Sequence, residues 1–422
     1  MTALARLGPE QRKLAASLAV NFATRVPGLA GVVVMLPLLH RDLGTQGYAF
    51  LLGAMALGAT VTFLFGGFHT VGRRQIGEAH SRGDAAAEAD GFVTLMAVNG
   101  AILLLAMVAL GGFCATRGGG GGTMFAIAAL VALAACVNGL DNARAAYNEH
   151  YVTAVLQIVF QVANIAAAFA FPPLRQDPLT ASLVLSGHGL LASLVAGAML
   201  LRRRPYLLRG RVRHAAGALR QGLAIGMADG VLAATLSFSV VWMQASAGAA
   251  VAGWYGTLIR LFQTILVPVI LLLVPLSSYI RLGWNAKSAA TQARIVAASV
   301  VLGIGYGALA SAGLALASWL YIDRVLALPT PGDWTRLVPI YALFTAIIAY
   351  RSYSSIAYLV MDGARLAGGI ALRLLGALAV AAGASLVLSP LGTIVLYAAL
   401  VGAILIEGEL SSALRFRRGL AA

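Results

Sequence analysis

Apolar residues run along this chain in long, nearly unbroken stretches, not in the alternating or three-to-four spacing of half-buried strands and surface helices. A bilayer crossing needs about 20 apolar residues to cover roughly 30 Å of hydrocarbon. Runs of that kind fall near 14–39, 49–71, 91–113, 124–147, 154–171, 180–201, 222–244, 253–280, 294–320, 336–360, 370–389 and 391–413. They predict an all-α integral membrane protein of about twelve transmembrane helices. The first run is not read as a cleavable leader, because Arg25 and Pro27 interrupt it and no small-residue cleavage site follows the basic start.

Composition agrees. Of the 422 residues, 60% are hydrophobic and 11% are charged, against about 25% charged in soluble domains. A soluble enzyme, a disordered chain and a coiled coil are excluded. With only Cys114 and Cys136, no disulfide framework is expected.

The charge balance is basic, 30 Lys and Arg against 15 Asp and Glu. In a soluble domain this would point to nucleic acid. Here the distribution follows the rule that positive loops stay in the cytoplasm. One side of the predicted topology holds the N-terminal tail, Arg73, Arg74, Arg82, Arg144, seven arginines from Arg202 to Arg220, Arg281, Lys287, Arg294, Arg365 and the C-terminal arginines. The other side holds Arg41, Arg117, Arg175, Arg324 and Arg336. This places both termini in the cytoplasm. The basic segment 202–221 divides the chain into an N-terminal lobe, 1–201, and a C-terminal lobe, 222–422, of six helices each.

The lobes begin alike. The stretch Leu18 to Val26 (LAVNFATRV) resembles Leu223 to Val231 (LAIGMADGV), and Gly47-Tyr48 matches Gly253-Trp254-Tyr255. Because each half starts on the same side, the repeats are parallel, related by a pseudo-two-fold axis along the membrane normal.

Charges inside the spans are the sharpest functional signal, since each costs about 2.5–3.5 kcal/mol to insert. Asn21 and Arg25 lie one turn apart, just before Pro27 and Gly28. Asp229 sits near the repeat equivalent of Arg25. Arg260, Arg351 and Arg373 follow, with Glu407 and Glu409 late in the last span. One reading is a cationic cavity that binds an anion; the other is structural pairing, Arg25 with Asp229, or snorkelling, which is the expectation for Arg373, Glu407 and Glu409. Gln157, Gln161 and Asn164 form a polar stripe, as do Arg351, Ser355 and Tyr358. Amides, hydroxyls and rings suit sugars, and equally suit interhelical hydrogen bonds.

Stripes of small residues, Ala54/Gly58/Thr62/Gly66 and Gly222/Gly226/Gly230, are expected to let helices approach closely. Gly303, Gly305 and Gly307 have the look of a phosphate loop but lie inside an apolar span, and are read as packing. Gly118 to Gly122 is expected to be a flexible outer loop. The histidines are scattered, there is no Walker motif, and no outer loop exceeds about 15 residues, so transport is preferred over catalysis and neither cofactor nor metal is expected.

The stretch from Leu43 to Asp84, LGTQGYAFLLGAMALGATVTFLFGGFHTVGRRQIGEAHSRGD, resembles bacterial polysaccharide flippases, the O-antigen and exopolysaccharide transporters of the multidrug/oligosaccharidyl-lipid/polysaccharide exporter superfamily. The resemblance rests on an LG…GY opening, a span rich in small residues and a G…RR…A…GD inner loop. It implies a V-shaped fold of two six-helix lobes and a substrate of oligosaccharide on undecaprenyl pyrophosphate. It also implies partnership with polysaccharide polymerase and chain-length machinery, and pyrophosphate contacts at Arg25 and Arg260. Anionic membrane lipids are expected against the Arg202–Arg220 segment; nucleic acid is not expected. Multidrug exporters of the superfamily typically have an acidic residue in the first span, where this chain has Arg25. The lipid II flippase branch usually has fourteen spans. A major-facilitator carrier is the alternative outside the superfamily, because Gly72-Arg73-Arg74 echoes its inner-loop motif, although His69 and Thr70 do not fit it.

The topology makes a first prediction. A phosphatase fused after Ala422 should be inactive and a cytoplasmic reporter there active; the reverse would refute the charge-based orientation.

Overall fold

The computed structural model describes the backbone of residues 9–147, 149–213, 215–281, 288–328, 330–360 and 363–419. Within these, the side chains of 9–30, 32, 63, 150, 224–225, 227–229, 234–235, 267–281, 334, 355–360, 363–367 and 412–419 lie outside the description. The described chain is helical: α1 (Pro9–Ser81), α2 (Ala85–Ala115), α3 (Gly121–Ala145), α4 (His150–Ala170), α5 (Pro178–Arg203), α6 (Ala215–Ser246), α7 (Ala249–Arg281), α8 (Ala289–Ala317), α9 (Trp334–Val360), α10 (Gly363–Ala384) and α11 (Pro390–Gly419). Hydrocarbon offers no hydrogen-bond partner, so each spanning segment must satisfy its own backbone, and helices do so. Six of the described helical stretches are long and apolar enough to cross a bilayer by length and composition alone: Ala85–Ala115, Gly118–Ala145, Tyr151–Ala170, Pro178–Arg203, Ala289–Val325 and Pro390–Ser411.

The first two predicted spans are continuous in α1 except at Gly44, whose φ of 67° and ψ of 171° are not helical. That break falls in the predicted gap between 39 and 49. Gly248, at φ 85°, separates α6 from α7 in the same left-handed region. Glycine enters this region without a Cβ clash. The openings of the second span of each half also correspond: Tyr48 and Trp254 are both completely buried. Tyr48 packs edge-on against His40 at 5.2 Å. Trp254 Nε1 donates to Asp323 at 3.3 Å.

The chain forms two compact units, Met1–Gln244 and Ala245–Ala422. Thus α6, the span that opens the second sequence half, packs almost wholly within the first unit. A Cβ on Gly67 would lie 1.9 Å from the Gly222 carbonyl oxygen, and a Cβ on Gly222 would lie 2.3 Å from the Phe68 ring. Arg74 Nη2 reinforces this crossing by donating to Gln221 Oε1 at 2.8 Å. Gly58 approaches α3 in the same way, 2.5 Å from Cβ to the Ala128 oxygen, whereas Gly66 faces open space. The predicted stripe therefore contributes Gly58, and the neighbouring Gly67 takes the place expected for Gly66.

In the second unit, α8 packs on α9 through Gly303 and Gly307. A Cβ on either would meet Ser352 or the Thr345 carbonyl within 3 Å, while Gly305 is open. The phosphate-loop look of this stretch thus reflects helix packing. Beyond Ala317 the helix widens into a π-helical segment, Ser318–Val325. Asp323, in that segment, also accepts from Thr330 Oγ1. Of the glycines after Thr116, Gly118–Gly120 form a 3-10 turn and Gly121 already begins α3.

Gly222→Leu should abolish folded protein, because the α1–α6 approach leaves no room for a side chain, whereas Gly66→Ala should be tolerated. Fluorescence size-exclusion profiles of the two variants test this pair, and equal behaviour would contradict the assigned crossing.

Candidate functional site

Loops at the two ends of the first unit gather opposite charges. At one end, Asp42 takes Arg41 at 2.9 Å and Arg175 at 2.9 Å. Residues 41 and 175 were assigned to the same side from sequence, and here they share one carboxylate.

The opposite end is organised by Glu88, near the start of α2 and only 3% exposed. Asp84 caps that helix by accepting from Ala87 N at 3.0 Å. Glu88 then collects three donors: Tyr147 Oη at 2.9 Å, Tyr206 Oη at 2.7 Å and His80 Nδ1 at 3.1 Å. A carboxylate removed from water requires such partners. Burial and the hydrogen bond to Glu88 raise the pKa of Tyr206 above the ordinary value. The Tyr206 bond is therefore kept up to about pH 10, the usual tyrosine value, and is lost as pH climbs from there toward the raised value.

Beside this carboxylate, Glu149 bridges Arg144 at 3.1 Å and Arg204 at 3.2 Å. Arg144 is wholly buried and also donates to the Ala196 carbonyl at 2.7 Å. The Arg204 guanidinium lies 3.9 Å from the Tyr147 ring centroid. Further along the basic segment, Arg213 pairs with Asp90 at 3.1 Å, and the Arg211 backbone N–H donates to Asp90 at 2.7 Å. The basic segment expected to join the two lobes is thus folded onto α2, with Leu207 fully buried.

Between these ends lies a polar cluster within the spans. Asn99 Nδ2 donates to His69 Nε2 at 3.1 Å. Both residues are buried, His69 at 6% and Asn99 at 1% exposure. The His69 ring stacks on Phe65 with centroids 6.1 Å apart. Gly139 of α3 allows the approach, since its Cβ would lie 2.2 Å from Asn99 Nδ2. Asp141 of α3 interacts electrostatically with both His69 and Arg73. His69 and Arg73 are one turn apart on α1. Neither Asn99 nor Asp141 is singled out from the sequence, and His69 enters there only as a misfit to the major-facilitator motif. The usable signal was present: each is polar within an apolar run, and His69 and Arg73 stand four apart.

The polar stripe on α4 divides. Asn164 donates to the Leu183 and Val184 carbonyls of α5 at 3.3 and 3.4 Å, which is interhelical bonding. Gln157 and Gln161 are half-buried, and the Gln161 amide packs 3.0 Å from where a Cβ on Gly31 would stand.

In the second unit, Arg260 on α7 and Arg351 on α9 are both half-buried. Phe262 stacks on Phe344 at 4.1 Å, which fixes the level of the two helices. Arg260 is next to that level, and Arg351 lies about 10 Å along α9 from it at 1.5 Å per residue. Arg373 and Glu407 form an ion pair with both side chains well exposed. Glu409 departs from the expectation of a surface position. It shares a face of α11 with the fully buried Val401 and Leu405 and is 2% exposed; its Oε1 has no hydrogen-bond partner among the described residues. Asn21, Arg25, Asp229 and Tyr358 lie outside the described side chains; Asn21 and Arg25 fall within the backbone of α1, Asp229 within α6 and Tyr358 within α9. Among the described residues, no three His, Cys, Asp or Glu side chains are grouped as a metal site would need.

No protein-family model matches the chain, and neither does any curated protein. Solved structures do. A eukaryotic MATE transporter, AtDTX14, superposes with a TM-score of 0.63 at 11% identity, covering 97% of this chain and 99% of that one. An inward-facing multidrug resistance MATE family transporter of the MOP superfamily gives 0.57 at 11%, covering 96% and 99%. The MATE multidrug transporter DinF-BH, solved in complex with R6G, gives 0.57 at 15%, covering 98% and 97%. The chain therefore has the all-helical, multi-pass membrane fold of these MATE transporters over nearly its whole length. That is the fold implied by the Leu43–Asp84 stretch and not the major-facilitator alternative.

Tyr206→Phe removes one donor from the buried Glu88 carboxylate and should cost about 1.5–3 kcal/mol. A lowered melting temperature in detergent, with Arg209→Gln unchanged as control, is the expected result. Equal melting of both variants would remove Glu88 from its structural role.

Proposed function

We propose that the chain is a flippase that moves oligosaccharide repeat units linked to undecaprenyl pyrophosphate across the bacterial inner membrane, for O-antigen or exopolysaccharide synthesis. The observation that carries this reading is the charge of the first span: 14–39 contains Arg25 and no acidic residue. A cation placed in hydrocarbon at a cost of about 2.5–3.5 kcal/mol suits an anionic cargo and repels a cationic drug. Guanidinium groups match phosphate oxygens with paired, charge-assisted hydrogen bonds. Arg25 and Arg260 are assigned to the pyrophosphate. Asn21, Asp229, Gln157, Gln161, Arg351 and Tyr358 are assigned to the sugars and to the cavity wall.

The physical task is to carry a large polar head through hydrocarbon while the lipid tail stays in it. A wet path open sideways to the lipid achieves this, with access alternating between the two faces of the membrane. With both termini cytoplasmic, an anion leaving a negative interior gains about 2.3 kcal/mol per charge per 100 mV. Polymerase and chain-length machinery would then consume the delivered units.

A second reading, export of a cationic drug, is favoured by the likeness to MATE multidrug transporters, one of them solved with R6G. Two measurements separate the readings. In a strain lacking its own flippase, Arg25→Ala should reduce polysaccharide at least about tenfold at unchanged membrane abundance, and Arg25→Lys should restore part of it. R6G efflux should be absent. Robust efflux together with normal polysaccharide in the alanine variant would favour the drug reading.

A further inference from the structure

The basic segment between α5 and α6 is held in a fixed conformation, and what it leaves uncovered is specific. Four anchors pin it: Leu207 is fully buried, Tyr206 donates to Glu88, Arg204 pairs with Glu149, and Arg213 pairs with Asp90. Gly210 makes the tightest approach, since a Cβ there would lie 2.1 Å from the Ala89 carbonyl oxygen. These anchors occupy Glu88, Asp90 and Glu149, the acids against which the segment lies.

Arg202, Arg203, Arg209 and Arg211 are left over. All four are exposed, and none forms an ion pair among the described residues. Set among them, Leu208 is 63% and Val212 is 52% exposed. A loop facing only water has no use for two exposed aliphatic side chains beside four unneutralised guanidinium groups. A membrane surface accommodates both: acidic headgroups neutralise the cations, and the aliphatic groups enter the boundary below them. The segment is placed for this, since α5 runs as an apolar helix up to Arg203. The exposed apolar groups are aliphatic, so they offer no ring for base stacking, and that disfavours a single-stranded nucleic acid as the occupant.

We infer that Arg202–Val212 is a preformed docking surface for anionic phospholipids of the leaflet it borders. Arg204 and Arg213 hold its shape, while Arg202, Arg203, Arg209 and Arg211 bind the headgroups. The inference does not depend on what the protein transports.

The test uses the full chain with Cys114→Ala, Cys136→Ala and Leu208→Cys, labelled with a small fluorophore, in nanodiscs of phosphatidylcholine alone or with about one-third phosphatidylglycerol. Quenching by lipids carrying a spin label near the headgroup should be at least about twofold greater in the anionic discs, and high salt should remove the difference by screening. Changing Arg202, Arg203, Arg209 and Arg211 together to Gln should also remove it. That variant keeps every anchoring contact, so its gel-filtration profile should be unchanged. Equal quenching in the two lipids, or a difference that survives in the quadruple variant, overturns the inference. So does a larger response to added RNA in neutral discs than to phosphatidylglycerol.

Discussion

Hydrocarbon supplies no hydrogen bonds, so any polar group carried into it must be met by another part of the chain. This constraint accounts first for the all-helical backbone. At the helix ends, burial away from water imposes the same need and dictates where the elements touch. Glu88, buried at the head of α2, draws Tyr147 from the α3–α4 connection, Tyr206 from the basic segment and His80 from the end of α1. One carboxylate thus fixes four separate parts of the sequence. Glu149 does the same for Arg144 and Arg204 immediately alongside.

Close helix crossings supply the second layer of order. Without a hydrophobic force to drive helices together inside lipid, short interhelical distances and dispersion do more of the work. Gly67 against Gly222, Gly58 against Ala128, and Gly303 and Gly307 against α9 are places where a single methyl group would collide. The α1–α6 crossing brings the opening span of the second sequence half into the first compact unit. Sequence symmetry and spatial compactness therefore divide the chain at different points. The repeat describes how the halves start, and the packing describes what each helix touches.

Spans, small-residue contacts and the division of charged loops were legible because each follows from a local or periodic property. Arg41 and Arg175, assigned to one side by position, do meet at Asp42. The polar contacts were less legible. Glu88 looked like an ordinary acid at a helix start, since nothing local reveals that Tyr147 and Tyr206 converge on it from 59 and 118 positions away. His69 and Asn99 were hidden likewise, because their bond depends on Gly139 letting α3 come near. Glu409 was misread as an interfacial residue because span ends are judged by hydropathy. Its face is set instead by its spacing of one turn from Leu405 and two from Val401, and that spacing turns it inward. Asn164 follows the interhelical reading of its stripe, donating to the Leu183 and Val184 carbonyls of α5.

Sorting charges by what they meet gives a sharper guide to function than their count. Arg144, Arg175, Arg204 and Arg213 have carboxylate partners within the first unit, and their positive charge is already used in holding it together. The net excess of +15 is therefore carried by other cations: loop arginines such as Arg202, Arg203, Arg209 and Arg211, and the few that the sequence puts within spans, Arg25, Arg260 and Arg351. A transporter of cationic drugs has no reason to keep positive charge in its spans, because each such residue costs insertion energy and repels the cargo. A carrier of pyrophosphate has a reason, since the anion must be stabilised while it is out of water. On the function proposed above, the excess marks two interfaces with anions: the membrane surface at the loops and the moving substrate between the helices.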